Sequence, residues 1–180
     1  MKPELIQSHT IYHGKVFDIR LDQVRLPNGR SMQIDIVEHP PAVVLVPVDA
    51  AGNILFIRQY RHAVGEEILE LPAGVTEANE PAEISARREL REETGMQAEQ
   101  LRLLGEFFIA PGYSTESLVI YLATDLSSAP LPADEDEFIQ VVPIPIAQAY
   151  DPAYQSELRD AKTLAALLLA APYLKPHQFS

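Results

Sequence analysis

One segment of the chain constrains its architecture more than any other, the apolar run at residues 42–48 that follows Pro40 and Pro41. A run of this kind is typical of a β-strand that is buried on both faces. The remaining pattern predicts further strands at 54–57, 67–71, 101–109, 118–123 and 138–142, and helices at 81–94 and 156–171. Because these strands and helices do not alternate regularly, we expect an α/β (or α+β) sandwich with a mixed sheet.

The N-terminal part of the chain carries its own pattern, two strands within residues 14–39 that flank a turn at Asn28 and Gly29. Asn-Gly tolerates the positive φ angles of a tight hairpin turn. Met32, Ile34 and Ile36 alternate with polar residues, so one face of the second strand requires cover. That cover is either the hairpin's own domain or a second subunit. We expect an antiparallel hairpin region at 1–40, with a role in dimerisation, and a main domain at 41–180.

Length and charge narrow the class of protein. A chain of 180 residues is the size of one ordinary domain. Its 14 Lys and Arg against 26 Asp and Glu give a formal charge of -12, and a field of that sign repels nucleic acid and anionic membranes. The chain has no cysteine, which excludes disulfides, thiolate zinc sites and cysteine nucleophiles. We therefore expect a cytoplasmic protein that binds neither nucleic acid nor membrane.

The helix at 81–94 concentrates the chemistry. Glu89, Glu92 and Glu93 project from neighbouring turns on one side of it. Beside them runs an apolar stripe that can dock the helix on the sheet: Ala82, Ala86 and Leu90. Carboxylates this close repel one another unless a cation sits among them, and Arg88 relieves part of that repulsion because it pairs with Glu92 at i,i+4.

Two interpretations of this helix are open. Helices rich in Glu and Arg are usually solvated faces crossed by ion pairs. The position of the carboxylates next to the docking stripe favours a metal site, because it brings them close to the sheet. The preceding segment, residues 70–74, can also bring backbone oxygens against the helix. Carboxylate and carbonyl oxygens suit hard cations, Mg²⁺ or Mn²⁺.

The same stretch resembles the signature of the Nudix hydrolases, G-x5-E-x7-R-E-U-x-E-E-x-G-U, in which U is a bulky aliphatic residue. It is matched here without a gap or mismatch by Gly74, Glu80, Arg88, Glu89, Leu90, Glu92, Glu93, Gly95 and Met96. We call this segment, residues 74–96, the box. The resemblance implies the Nudix α/β/α sandwich and the hydrolysis of a nucleoside diphosphate linked to another group.

The resemblance also implies roles for single residues. Glu89 and Glu93 would be the principal metal ligands, with the Ala73 carbonyl as a backbone ligand and Glu92 joining them as a ligand and catalytic carboxylate. Arg88 and Glu80 would orient these glutamates. Gly74 and Gly95 would serve the loop and the helix end.

The flanking segments resemble the ADP-ribose pyrophosphatase subgroup. Pro111 lies sixteen residues after Gly95, and that spacing, the loop at 111–116 and the segment at 58–61 are all similar to the subgroup. The resemblance implies that Arg61 and Arg58 contact the diphosphate or ribose, and that Tyr60 and Tyr113 stack on adenine. The hairpin resembles a small domain exchanged between two subunits, which implies a homodimer.

The general base is expected in the acidic loop at 134–137, since a glutamate of the corresponding loop closes over the substrate in the subgroup. Glu135 fits best, with Glu137 and Glu116 as reserves. The implied reaction converts ADP-ribose to AMP and ribose 5-phosphate. GDP-mannose or another nucleotide sugar is the alternative substrate, and a non-catalytic Nudix regulator is disfavoured because every box carboxylate is present. An esterase has no support, because the chain lacks G-x-S-x-G.

Overall fold

The computed structural model describes residues 2–132 and 138–174. Its strands are β1 Glu4–His13, β2 Asp18–Arg25, β3 Ser31–Glu38, β4 Ala42–Pro47, β5 Asn53–Arg61, β6 Glu66–Glu70, β7 Ala73–Val75, β8 Met96–Phe108, β9 Ser117–Ser128 and β10 Ile139–Pro145. Its helices are α1 Ala82–Thr94, α2 Ile146–Ala149, α3 Pro152–Gln155 and α4 Ala161–Leu174. The predicted combination of strands and helices in one α+β fold is confirmed.

The first compact unit comprises Met1–Pro41 and Phe107–Leu118. It contains an antiparallel sheet in the order β1-β2-β3. Strands β2 and β3 form the predicted hairpin, and Gly29 adopts a φ of 83° in its turn, a conformation that glycine takes without strain. Strand β1, which the apolar pattern does not single out, adds an exposed edge to this sheet.

The second unit comprises Ala42–Glu106 and Val119–Ser180. Every residue of β4 is buried, as predicted for the apolar run. Val43 and Leu45 of β4 pack in one cluster with Ala86 and Leu90 of α1, and α4 also contacts β4. The strand therefore lies inside a layered core, and its neighbours in the sheet order β7-β4-β9-β8 bring the residues after position 72 beside α1.

Some element bounds differ from the sequence prediction. Strand β5 runs four residues past the predicted end at 57, through Arg61. Helix α4 begins at Ala161, not at 156, because the preceding Asp160 accepts the backbone N–H of Thr163 through its side chain. Helix α1 begins at Ala82 and not at 81, because Pro81 is extended, with ψ 138°.

No helix in the described ranges has both the length and the apolar character needed to cross a membrane.

Candidate active site

Helix α1 places two carboxylates where acidic side chains are seldom found. Glu89 and Glu93 are only 8% and 5% exposed. They lie one turn apart and share the buried side of the helix with Ala86 and Leu90. Because an ionised carboxylate is costly to bury without partners, we infer that these two glutamates have a role other than packing the helix against the sheet.

Glu93 is hydrogen-bonded to the residue that directly precedes the box. Its Oε2 atom accepts a hydrogen bond from the backbone N–H of Ala73 at 2.8 Å. Ala73 opens β7 and pairs with Val44 of the buried strand β4. The sheet thus fixes the Ala73 backbone, and two of the predicted metal ligands come together at its edge.

Gly74 lies directly against Glu89. A β-carbon at position 74 would be 2.0 Å from the carboxylate carbon of Glu89 and 2.2 Å from each of its oxygens. No residue with a side chain leaves room for the carboxylate in this position. The first glycine of the box is therefore required by the approach of Glu89.

Arg88 connects the acidic residues of the box. Its Nη1 atom donates to Oε1 of Glu89 at 2.5 Å and to Oε2 of Glu92 at 3.0 Å, so the predicted i,i+4 pair is confirmed. Its Nη2 atom donates to Oε2 of Glu80 at 3.1 Å and to the Val75 carbonyl at 3.2 Å. One guanidinium therefore links helix α1 to the loop before it and points two carboxylates at the same place.

The same cluster shifts two pKa values. The hydrogen bond from Arg88, with a second from the Ser85 hydroxyl at 2.5 Å, lowers the pKa of Glu80 to about 2. Burial works against the charged form of Arg88, but the hydrogen bonds and charges of Glu80 and Glu89 outweigh it and raise the pKa of Arg88. Glu80 is thus ionised at neutral pH, and Arg88 remains a fixed cation.

The donor set suits a hard divalent cation. Across residues 2–132 and 138–174, no group of three His, Asp or Glu side chains is already arranged to hold a metal ion, and Nη1 of Arg88 lies between the carboxylates of Glu89 and Glu92. Their oxygens and the Ala73 backbone are nevertheless the ligand types that Mg²⁺ and Mn²⁺ prefer. The cradle at Gly74, which a β-carbon would fill, also fits a carboxylate ligand.

A second charged cluster lies on β5, β6 and α4. The side chain of Glu70 is 2% exposed, and its oxygens accept from Nε and Nη2 of Arg61, both at 2.8 Å. Lys162 donates to the same carboxylate. Burial works to raise the pKa of Glu70, but the hydrogen bonds from Arg61 and Lys162 outweigh it and lower the pKa. The hydrogen bond to Glu70, assisted by the charge of Glu93, raises the pKa of Arg61, which places Arg61 within electrostatic reach of the box.

The other residues predicted to contact the substrate lie on different parts of the structure. Side chains alternate along β5, so Arg58 and Tyr60 project from the face opposite to Arg61, and Tyr60 is exposed. Tyr113 is exposed and belongs with Glu116 to the first unit. Glu135 and Glu137 lie outside the described residues. The roles of all these residues remain predictions.

Sequence reasoning missed the second cluster. It treated Glu70 as the end of a strand and did not connect it with Lys162, because the two residues are 92 positions apart. The sequence does contain a signal for this cluster: three polar residues stand at the start of an otherwise apolar helix, namely Asp160, Lys162 and Thr163.

Comparison with known proteins shows the family to which the chain belongs. The protein-family model described as "NUDIX domain" matches residues 38–167 of the chain. The chain is 40% identical to an ADP-ribose pyrophosphatase of Mycobacterium tuberculosis, over 92% of this chain and 81% of that protein. It is 36% identical to an ADP-ribose pyrophosphatase of Bacillus subtilis, over 93% of this chain and 91% of that protein. The crystal structure of an ADP compounds hydrolase superposes with a TM-score of 0.88 at 26% identity, covering 99% of this chain and 97% of that one.

In the structure, helix α1 thus packs a buried glutamate against the glycine at position 74, at the edge of the sheet. With a domain match over most of the chain and relatives of this identity, the protein belongs to the Nudix family.

Proposed function

We propose that the protein is a Nudix pyrophosphohydrolase that cleaves the pyrophosphate bond of ADP-ribose with water, giving AMP and ribose 5-phosphate. The observation that carries the proposal is the packing of the Glu89 carboxylate against Gly74, with Arg88 joining Glu89 to Glu92. The choice of substrate is supported by the two ADP-ribose pyrophosphatase relatives and by the ADP compounds hydrolase of the same fold.

Nudix hydrolases generally depend on divalent metal ions. We propose Mg²⁺ or Mn²⁺ here, held by the carboxylates of Glu89, Glu92 and Glu93 and by the carbonyl of Ala73. When bound, such ions polarise the phosphoryl oxygens and offset the negative charge of the diphosphate. Charge compensation is needed because the substrate is an anion and the chain carries a formal charge of -12.

The chain's own side chains are proposed to bind the substrate and to orient the ligand carboxylates. Arg88 keeps the carboxylates of Glu89 and Glu92 directed to one place. Arg61 uses Nε and Nη2 on Glu70, and among the described residues its Nη1 atom has no hydrogen-bond partner. We propose that this edge of Arg61 binds the diphosphate, and that Arg58, Tyr60 and Tyr113 contact the ribose and adenine.

Proton removal from the attacking water needs a carboxylate that the metal ions do not engage. We propose Glu135 for this role, with Glu137 and Glu116 as the alternatives. Glu92 remains the box residue proposed to act with the base, because its side chain is the most exposed of the three ligand glutamates, at 22% against 11% for Glu89.

The proposal is tested by incubating the full-length protein with ADP-ribose and Mg²⁺ and separating the products by ion-exchange chromatography. We expect AMP and ribose 5-phosphate in equal amounts, and no product when a chelator removes divalent ions. The matched control is Glu83→Gln, which alters an exposed glutamate of the same helix and should retain activity. Intact ADP-ribose with both Mg²⁺ and Mn²⁺ would refute the assignment.

We further propose that the protein works as a homodimer through its first unit. Several large apolar side chains of this unit are exposed: Leu5, Ile6, Ile11, Tyr12, Val16, Phe17 and Met32. A cavity of about 500 Å³ opens on the same unit and is lined largely by apolar residues, Ile11, Ile19, Leu21, Ile36, Val37 and Tyr113 among them. Apolar surface of this extent is typical of a protein–protein interface.

Light scattering after size-exclusion chromatography tests the dimer with a matched pair of variants. Ile11 and Ile84 are 54% and 53% exposed, the first on β1 and the second on α1. Ile11→Lys should give monomers because it places a charge in the proposed interface, whereas Ile84→Lys should elute as the wild type does. A monomeric wild-type protein would contradict the proposal.

A further inference from the structure

The first turn of α4 contacts the segment that leads into the box at two successive residues. Lys162 donates to the buried carboxylate of Glu70, and Thr163 accepts the backbone N–H of Leu71 at 2.8 Å through its hydroxyl. Thr163 is fully buried. The side chain of Glu70 and the backbone of Leu71 are thus held by the same turn of α4.

That turn is itself fixed by Asp160. The Oδ2 atom of Asp160 accepts from the hydroxyl and the backbone N–H of Thr163, at 2.6 Å and 3.0 Å, and it lies 3.0 Å from the ammonium group of Lys162. Such a capping residue stabilises the start of a helix. Here it also orients the two side chains that reach Glu70 of β6 and the adjacent Leu71.

The held segment ends at the box. Pro72 and Ala73 follow Leu71 directly. The Pro72 carbonyl accepts from the backbone N–H of Leu45 in β4 at 2.9 Å, and the Ala73 N–H donates to Glu93 at 2.8 Å. The path from α4 to α1 is therefore short: it runs from Thr163 to Leu71 by a hydrogen bond, along the chain to Ala73, and from Ala73 to Glu93 by a second hydrogen bond.

Glu70 is shared by two cations. Arg61 engages both of its oxygens, and Lys162 engages Oε2 as well. Lys162 neutralises part of the negative charge of Glu70, so Arg61 is not the sole cation on that carboxylate. The Nη1 edge of Arg61 stays directed away from Glu70, because Nε and Nη2 make the two hydrogen bonds. Without Lys162, a carboxylate that is 2% exposed would lose a charged partner, and its remaining partner, Arg61, would be drawn to it more strongly.

We propose that Lys162, oriented by Asp160, is a positioning residue that acts through Glu70 to hold Arg61 in the orientation that binds the substrate diphosphate. This inference rests on the proposed function of the site. It assigns a role in substrate affinity to the start of α4, a part of the chain far from the box in sequence.

Steady-state kinetics with ADP-ribose separate positioning from simple stabilisation. Lys162→Met should raise KM on the order of ten-fold while kcat changes by no more than a few-fold, and Lys162→Arg should restore most of the affinity because it returns a cation to Glu70. The matched control is Arg159→Met, which removes the exposed ion pair of Arg159 with Glu66 at the same end of the helix and should leave KM unchanged. An unchanged KM in a folded Lys162→Met protein overturns the proposal.

A second variant and a second readout keep the test decisive. If Lys162→Met does not fold, Lys162→Gln, which keeps a hydrogen-bond donor but not the charge, is judged by the same criterion. The ¹⁵N–¹H signal of Arg61 Nε, identified by its loss in Arg61→Lys, reports the Glu70 contact without any substrate. It should shift in the Lys162 variant and not in Arg159→Met, and an unshifted signal overturns the coupling. A wild-type protein that leaves ADP-ribose intact would refute the proposed function, whereas this signal would still decide the coupling.

Discussion

The carboxylate of Glu89 fills the space beside Gly74 that a β-carbon would need, with only 2.0 Å between its carbon and that position. The two residues belong to the same signature, but a loop and part of a helix separate them. Gly74 is required because of this approach and not because of its backbone angles, since its φ is outside the left-handed range. The contact explains why the box begins with glycine.

Gly74→Ala should therefore displace the Glu89 carboxylate and leave the fold in place, because the displaced group is the end of a flexible side chain. A misplacement of about 1 Å in a catalytic group can cost about 10²-fold in rate, and we expect a loss of kcat of that order with a nearly unchanged melting temperature. Gly105→Ala is the control, as its new β-carbon would meet only the two methyl groups of the Leu169 side chain, the nearer at 3.3 Å. Wild-type kcat in Gly74→Ala would show that Glu89 takes no part in catalysis.

Glu93→Gln should weaken metal binding. The change keeps the shape of the side chain, and its oxygen can still accept the Ala73 N–H, but it removes a negative charge from a proposed ligand. Calorimetric titration with Mg²⁺ and with Mn²⁺ should show reduced affinity for both ions. Steady-state kinetics should show that activity is lost. Equal affinity in the variant and the wild type would remove Glu93 from the ligand set.

Glu80 should make stability depend on pH in the acid range. Its pKa is about 2 in the folded protein against an ordinary 4.5, because Arg88 and Ser85 bind the ionised form. A lowered carboxyl pKa stabilises the fold fully above the ordinary value, and this stabilisation is lost as the pH falls from 4.5 towards 2.

Urea unfolding of Glu80→Gln checks this sign. At pH 7 the variant should be less stable than the wild type by about 1 to 3 kcal/mol, the usual range for a hydrogen bond to a charged group. The difference should narrow as the pH is lowered below 4.5. A difference that stays constant or widens in that range would mean that the Glu80–Arg88 pair does not favour the ionised carboxylate.

Glu135→Gln should lower kcat by about 10² to 10⁴, the usual contribution of a general base. KM and metal affinity should change little, because the proposed role of Glu135 is limited to the attacking water. Glu137→Gln and Glu116→Gln are the comparison variants. A kcat for Glu135→Gln within a few-fold of the wild type would transfer the role to whichever of these two is impaired.

The local part of the site was predictable from sequence because its geometry follows from helix periodicity. Residues three and four apart share a helix side, so the grouping of Glu89, Glu92 and Glu93 and the Arg88–Glu92 pair required no tertiary information. The buried strand at β4 was equally predictable, since an apolar run of that kind has few alternatives.

The tertiary part of the site was not predictable in this way. The contact of Lys162 with Glu70 depends on where α4 packs against the sheet, which no local pattern encodes. Arg61 was predicted as a substrate contact, but its bidentate pairing with Glu70 was not, because the polar end of β5 does not resemble a strand. Closeness of Glu89 to Gly74 likewise emerges only when β7 and α1 are packed together.

The central claim is that this Nudix site selects ADP-ribose, and the most direct test is a comparison of kcat/KM for ADP-ribose and GDP-mannose on the same protein preparation. Each substrate is assayed with Mg²⁺ and with Mn²⁺, and AMP or GMP is quantified by chromatography. We predict that kcat/KM for ADP-ribose exceeds that for GDP-mannose by at least ten-fold with the better metal ion. A higher kcat/KM for GDP-mannose with both metal ions would contradict the account.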